Sequence, residues 1–281
     1  MRVAYLGTSA FAAGILSRLA VGAHPPVLVV TRPDRPAGRG RKLAAPPVAD
    51  AARELGLELH QPESVNAPAT LARIAAAQAD VVVVCAFGAL ITEPLLSARR
   101  ILNVHPSLLP RWRGAAPVER AIMAGDHETG VCIMRLTAGL DSGPVCARGV
   151  EPIAPDDTYA TLAGRLERLG GDLLLGALDA GPAAWDWEEQ PDEGVTYAEK
   201  IGPADRTLDS AAAPNEQERV VRALAPHIGA RVQLDDGTFL GVWRARVGDG
   251  GALELVEVQP AGGRAMPWAD YARGRERQRR S

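Results

Sequence analysis

The 281-residue chain has little cysteine: three residues, Cys85, Cys132 and Cys146, an odd number, each in an apolar stretch. That excludes a disulfide framework, and no Cys-x-x-Cys pair offers half of a metal site. No apolar run approaches the ~18–20 residues that cross a bilayer. The first residues, Met1 to Gly7, enter a strand-like pattern at once, without the layout of a signal peptide. Several catalytic signatures are missing as well. Gly38-Arg39-Gly40-Arg41-Lys42 lacks both the spacing and the following hydroxyl of a phosphate loop, and the first turn, Gly7-Thr8-Ser9-Ala10-Phe11, is not Gly-x-Gly-x-x-Gly. There is no His-Glu-x-x-His, His127-Glu128 lacks the spacing of a metal pair, and no Gly-x-Ser-x-Gly elbow occurs. These absences predict a soluble, cytoplasmic, metal-free protein.

What is present is a globular composition. Hydrophobic residues make up 47% and charged residues 23%, near the averages of packed domains and far from disordered or collagenous chains. The length exceeds the usual ~100–200 residues of one domain, and two domains are expected. The formal net charge is only −3, but its distribution is uneven. Residues 32–42 (RPDRPAGRGRK) carry five basic residues and one acidic, and the last ten residues carry five arginines and one glutamate. Either cluster alone reads as a solvated loop. Together, in a slightly acidic chain, they suggest two places where a polyanion is held.

The first half alternates strand and helix patterns. Strands are expected at residues 3–6, 26–30, 57–59, 80–85 and 101–104, and helices at 10–19 with Ser9 as N-cap, 47–55, 68–77 and 117–124. The run DVVVVC at 80–85 is unbroken and β-branched, as in a strand covered on both faces. Residues 32–47, rich in Pro, Gly and Arg, can be neither helix nor central strand. The alternation predicts an α/β fold with a doubly wound, mostly parallel sheet. Ligands of such sheets sit at the carboxyl ends of strands, which directs attention to residues 86–90 and 105–110. Further strands are expected at 131–136 and 145–150, then a long helix at 158–178. Residues 181–205 are polar and read as a linker. Beyond them lie a helix at 216–225 and strands at 231–234, 239–244 and 253–258, a small β-barrel-like module ending in the basic tail. The expected domains are therefore 1–180 and 206–281.

Asn103 and His105, two apart on a strand, face one way where the strand runs into a Pro-flanked loop. Asn is a neutral donor for a developing oxyanion, and His can take or give a proton near neutral pH. Asp141, in the Gly-rich loop 139–144, is the candidate to orient the imidazole, since glycines let a loop approach another strand closely. The alternative is that His105 is simply a satisfied histidine at a strand end. On chemistry alone, the trio points to acyl or proton transfer without a metal.

Residues 102–117 (LNVHPSLLPRWRGAAP) closely resemble the signature of the folate-dependent formyltransferases. The second half, from Arg111 to Pro117, resembles specifically the members that act on methionyl initiator tRNA. Residues 32–43 (RPDRPAGRGRKL), 139–143 (GLDSG), 195–201 (VTYAEKI) and 259–264 (QPAGGR) match in the same order, so the resemblance covers nearly the whole chain. It implies transfer of a formyl group from 10-formyltetrahydrofolate to the α-amino group of methionine on initiator tRNA, with Asn103, His105 and Asp141 as the catalytic trio. It implies a folate site at Phe87, Gly88, Leu90, Ser107, Leu108, Leu109 and Pro110, with ordinary core packing as the alternative for Phe87 and Leu90. Trp112 is either a wall of that site or scaffold. The resemblance also implies that Arg35, Arg39, Arg41 and Lys42 meet tRNA, that an OB-type C-terminal barrel adds charge contacts, and that the protein is a monomer. Between Arg246 and Gly251 the chain is shorter than the family pattern by a strand and a turn, so an incomplete barrel is expected. The rivals are an N-formyltransferase for a small purine- or sugar-nucleotide amine, a hydrolase of the same folate, and a non-catalytic tRNA binder on the same scaffold.

Overall fold

The computed structural model describes residues 1–37 and 42–280. Its main sheet has seven strands: β1 (Val3–Gly7), β2 (Pro26–Val30), β3 (Leu59–His60), β4 (Val81–Cys85), β5 (Ile101–His105), β6 (Glu128–Arg135) and β7 (Val145–Pro152), in the order β7-β6-β5-β4-β1-β2-β3. The pairs β1–β2, β1–β4, β2–β3 and β4–β5 are parallel, and β5–β6 is antiparallel. This is the mostly parallel α/β sheet expected from the alternation. All residues of β1, β4 and β5 are buried, as the unbroken apolar runs of β1 and β4 require, and in β5 this includes the polar Asn103 and His105.

The chain winds from β1 outward to β3, then crosses back to start β4 on the other side of β1. The switch point is therefore between β1 and β4, where crossovers diverge and leave a crevice at the carboxyl ends. The helix Ala10–Val21 follows β1 directly and is capped by Ser9, whose Oγ accepts the Ala12 N–H at 3.2 Å. Gly56, at φ +65°, ends the turn after the Pro47–Glu54 helix, which moves the next strand to Leu59–His60, slightly later than the sequence pattern suggests. The described residues between 32 and 47 contribute nothing to the main sheet. Arg35–Ala37 and Lys42–Ala44 instead pair as a small antiparallel hairpin. Arg39 and Arg41 lie outside the described residues.

The chain forms two compact units, and their division is not collinear. The first comprises Met1–Ala115, Gly130–Glu151 and Gly164–Tyr197; the second comprises Ala116–Thr129, Pro152–Ala163 and Ala198–Ser281. A boundary at residue 180 is therefore too simple, because two short segments that precede it, Ala116–Thr129 and Pro152–Ala163, belong with the C-terminal residues. The stretch 181–205 is not a free linker either. Up to Tyr197 it is fastened to the first unit: Trp185 Nε1–H donates to the Ala177 carbonyl at 2.7 Å, Arg135 sits 4.4 Å over the Trp187 ring, and Glu188 exchanges two backbone hydrogen bonds of 2.9 Å with Val145. These anchors are polar or isolated aromatics, so no apolar periodicity announces them.

The second unit holds a four-stranded antiparallel sheet, Ala230–Gln233, Phe239–Val247, Leu253–Gln259 and Met266–Pro267 in that order. It packs with the helix Pro214–Leu224 around Val221, Leu224, Ala230 and Val242. The basic tail is not irregular chain: Trp268–Arg280 is a helix. Arginine favours helix, and the Asp270–Arg273 pair one turn apart supports it.

Candidate active site

β5 carries Asn103 and His105 to its carboxyl end, both buried, at 7% and 4% exposure. Their register is fixed on both sides, by Val84 opposite Asn103 on β4 and by Cys132 opposite His105 on β6. Asp141 comes from the loop after β6, and the close approach expected of its glycines is real. A Cβ at Gly143 would collide with the Arg135 carbonyl, so only glycine lets the loop fold back onto β6.

The three side chains converge on the Asp141 carboxylate. Asn103 Nδ2 donates to Oδ1 at 3.3 Å, the Gly114 N–H donates to Oδ2 at 2.9 Å, and His105 Nδ1 stands 3.6 Å from Oδ2. The other imidazole nitrogen, Nε2, lies 2.9 Å from the Trp112 carbonyl. A carbonyl only accepts, so Nε2 carries a hydrogen, and Nδ1 is the nitrogen left to gain or lose a proton beside Asp141. The orienting group for the ring is thus the Trp112 carbonyl, with the carboxylate providing a charged neighbour rather than the hinge expected from sequence.

Two residues here hold strained backbone. Trp112 has φ +64° and Asp141 φ +43°, in the left-handed region that bulky residues avoid at a cost of about 1–3 kcal/mol each. Hydrogen bonds offset that cost. The Trp112 N–H donates to Thr196 Oγ1 at 2.8 Å, and its carbonyl is held by His105. Gln190 Nε2 donates to the carbonyls of Asp141 at 2.8 Å and Gly143 at 2.7 Å, while its Oε1 accepts from Arg113 Nε at 2.9 Å. Sequence reasoning missed Thr196 and Gln190, since both lie in the polar stretch taken for a linker. The only signal for Thr196 is its place in VTYAEKI.

The residues expected around folate divide. Phe87 packs in the core with Leu6, Val84 and Ile91, and Leu109 packs with Cys132, Met134 and Val145. Ser107 is fully buried and its hydroxyl donates to the Arg111 carbonyl at 2.7 Å, which closes the loop after β5. These three shape the site from beneath. Leu90, 76% exposed, Gly88 and the partly exposed Leu108 and Pro110 remain at the surface of the strand ends. The turn after β4 is sharp, with Ala86 at φ +41° and Gly88 at φ +72°, and Thr8 Oγ1–H donates to the Phe87 carbonyl at 2.7 Å across the switch point. Ordinary core is therefore right for the Phe87 side chain and not for Leu90.

The cysteines offer no competing nucleophile. Burial pushes the Cys85 thiol up to about 12 and the Cys146 thiol up to about 11, far from thiolate at neutral pH. No group of three metal-ligating side chains occurs among the described residues. A cavity of about 300 Å³ in the second unit is lined by His127, Glu218, Arg219 and Arg222, among others. Its arginines are already engaged, Arg222 with Glu218 and the Asp157 carbonyl, Arg219 with the Met123 carbonyl, so it lacks the convergence seen at β5.

The basic hairpin is anchored at its base. Gln61 Nε2 donates to the Arg32 carbonyl at 3.1 Å and to Asp34 Oδ1 at 2.7 Å, and its Oε1 accepts from Arg53 at 2.9 Å. Arg35 and Lys42 are exposed, Arg35 in an ion pair with Glu63 at 2.7 Å. In the tail helix, Arg273 and Arg275 pair with Asp270 and Asp236. Hydrogen bonds from the Thr238 hydroxyl and N–H, with Arg275, bring the Asp236 carboxyl down to about 2. Among the described side chains of the tail, Arg273 and Arg275 are thus engaged within the protein.

The formyl transferase family model matches residues 1–178. The methionyl-tRNA formyltransferase of Halorhodospira halophila is 44% identical over 300 aligned positions, covering 98% of this chain and 96% of that protein. Among solved structures, HypX from Aquifex aeolicus in complex with tetrahydrofolic acid superposes with a TM-score of 0.66 at 15% identity, over 96% of this chain and 46% of that one. An N-formyltransferase from Helicobacter canadensis, in complex with folinic acid and dTDP-3-aminofucose, gives a TM-score of 0.66 at 14% identity, over 89% and 88%. At those identities the two structures speak to the fold.

Proposed function

The chain belongs to the methionyl-tRNA formyltransferase family, and from that premise we propose that Asn103, His105 and Asp141 carry the reaction at the end of β5. The protein is an enzyme that formylates the amino group of methionyl initiator tRNA for translation initiation, with a folate as co-substrate. The donor in this reading is 10-formyltetrahydrofolate. The observation that carries the assignment of the trio is the convergence of Asn103, His105 and Gly114 N–H on one carboxylate at a strand end.

The chemistry matches these groups. Attack of the neutral amine on the formyl carbon places negative charge on the formyl oxygen and positive charge on nitrogen. Asn103 Nδ2 has two hydrogens, of which the Asp141 contact uses one; the other stabilises the oxyanion, an effect worth ~3–4 kcal/mol where one such donor has been removed from other enzymes. His105, with Nε2–H fixed, exchanges protons through Nδ1, which faces the Asp141 carboxylate, as the amine loses its proton. Collapse then breaks the bond from the formyl carbon to the folate nitrogen, which takes up a proton and leaves as tetrahydrofolate.

The folate lies in this reading against Gly88, Leu90, Leu108 and Pro110, above the buried Phe87, Ser107 and Leu109. The exposed apolar Leu90 suits the face of a flat heterocycle, and the turns supply backbone donors and acceptors for its edge. The basic residues Arg35, Arg39, Arg41 and Lys42 hold tRNA phosphates or base edges. The residues from 206 onward form a shortened relative of an OB-type module that adds charge contacts to tRNA, while the catalytic trio lies in the first unit. The enzyme acts as a cytoplasmic monomer and needs no metal.

The test is an acceptor panel. Labelled formyl from 10-formyltetrahydrofolate is followed onto methionyl initiator tRNA, glycinamide ribonucleotide and an amino-sugar nucleotide. Transfer to the tRNA alone is expected. Transfer to a small amine instead would keep the fold and overturn the acceptor.

A further inference from the structure

The Asp141 loop and the Trp112 backbone are both held by one short segment, residues 190–196, far from them in sequence. Thr196 is bonded to residues 110–113 three times: its N–H donates to the Pro110 carbonyl at 3.3 Å, its carbonyl accepts the Arg113 N–H at 2.9 Å, and its Oγ1 accepts the Trp112 N–H at 2.8 Å. The third bond differs from the others because it depends on the side chain. It fixes the N–H side of a peptide unit pair whose other side, the Trp112 carbonyl, receives His105 Nε2–H. Trp112 is in the left-handed region, where a tryptophan does not rest unless both its backbone groups are held. Gln190 does the parallel work six residues earlier. Both hydrogens of its amide are used, on the Asp141 and Gly143 carbonyls, and its oxygen is fixed by Arg113. Asp141 is likewise at positive φ.

We propose that Thr196 and Gln190 are positioning residues for formyl transfer: Thr196 sets the imidazole of His105 through the Trp112 backbone, and Gln190 sets the carboxylate of Asp141. The proposal rests on the reading that the trio carries the reaction. Its chemical content is a tautomer. With the Trp112 carbonyl in place, Nε2 holds the ring hydrogen and Nδ1 faces Asp141. If that carbonyl turns away, nothing fixes which nitrogen is protonated, and a large share of the enzyme holds the wrong face of the ring to the reacting amine. Neither residue reaches the reacting atoms in this scheme, so substrate affinities stay and turnover falls. This also accounts for a segment that buries few aliphatics yet is bonded at Gln190 and Thr196 to the Asp141 loop and to residues 110–113: it supports the site rather than the core.

Thr196→Val keeps the shape and both backbone bonds and removes only the Oγ1 acceptor. It is expected to lower kcat at least tenfold with KM for tRNA and for folate within twofold, and Thr196→Ser is expected to restore most of the loss. In ¹⁵N-histidine spectra taken where the rings are neutral, the His105 signals, identified by their absence in His105→Ala, are expected to report Nε2–H in the wild type and a tautomer mixture in Thr196→Val. A merely structural role would leave that ratio unchanged. Gln190→Ala is expected to lower kcat in the same range, and it decides the matter if Thr196→Val does not fold. A kcat within twofold of wild type in either folded variant, with His105→Ala inactive, overturns that residue's positioning role and leaves the trio standing. Activity of His105→Ala within tenfold of wild type overturns the trio, and with it the premise of the proposal.

Discussion

At the end of β5 the groups proposed as catalytic are buried and held from several sides: His105 is 4% exposed, and the carboxylate it faces has two further hydrogen-bond donors. At the hairpin Arg35–Ala37 and Lys42–Ala44 the basic side chains proposed to meet tRNA, Arg35 and Lys42 among the described residues, are exposed on a two-strand ribbon whose base is fastened by Gln61 and Arg53. In the proposed function the contrast follows from what each region must do. Moving a proton and holding an oxyanion need sub-ångström placement in a site shielded from water, which a strand in the middle of a sheet supplies. Holding a polyanion needs charge at the right density on chain that can follow a phosphate backbone, and most of that affinity is electrostatic. Damage to the first region should appear in turnover, and damage to the second in tRNA affinity and its salt dependence.

The largest effect is expected from His105→Ala. Loss of general acid–base catalysis is worth ~10²–10⁴ in rate, and tRNA binding measured by filter retention should stay near wild type. Asp141→Asn keeps the size of the side chain and can still accept a hydrogen bond from Gly114, but it removes the charge beside His105. A loss of ~10–10² in kcat is expected, smaller than for His105 because the imidazole remains. Replacing Arg39, Arg41 and Lys42 together by alanine should raise KM for tRNA while kcat at saturating tRNA holds. It should also flatten the slope of log affinity against log salt by about two to three, one for each phosphate that is no longer neutralised. An unchanged slope would make the hairpin a solvated surface and erase the contrast. Gln61→Ala should weaken tRNA binding in the same sense but only ~3–10-fold, the value of one or two net hydrogen bonds at the hairpin base. A fall in kcat instead would mean that the two regions are coupled.

The parts of the molecule that were legible in the sequence are those where one local pattern decides the outcome. DVVVVC can only be a covered strand, Ser9 only a cap, and Asn103 and His105 fall on one face because a strand has period two. The glycine of the Asp141 loop announced close approach, and Gly143 proves to need it. Residues 185–197 were illegible for a physical reason: they attach by isolated backbone bridges at Glu188 and Thr196, side-chain hydrogen bonds and single tryptophans, which leave no period. Thr196 is 84 residues from the Trp112 N–H it holds, and Gln190 is 49 residues from the Asp141 carbonyl. The tail helix escaped for a related reason, since its arginines carry helix propensity but mask any apolar stripe. The helix and first three strands of the second unit were legible, but its inclusion of residues 116–129 and 152–163 was not, because local pattern does not say which distant segment an element packs against.

The most direct test of the contrast is one single-turnover experiment at saturating tRNA and folate, comparing wild type, His105→Ala and the Arg39/Arg41/Lys42 triple variant. Saturation removes differences in affinity and leaves the chemical step. The triple variant is expected within about threefold of wild type, and His105→Ala slower by ~10² or more. If the triple variant stayed as slow as His105→Ala at saturation, the hairpin would belong to the chemistry, and the separation of a fixed catalytic strand end from a charged holding surface would be wrong.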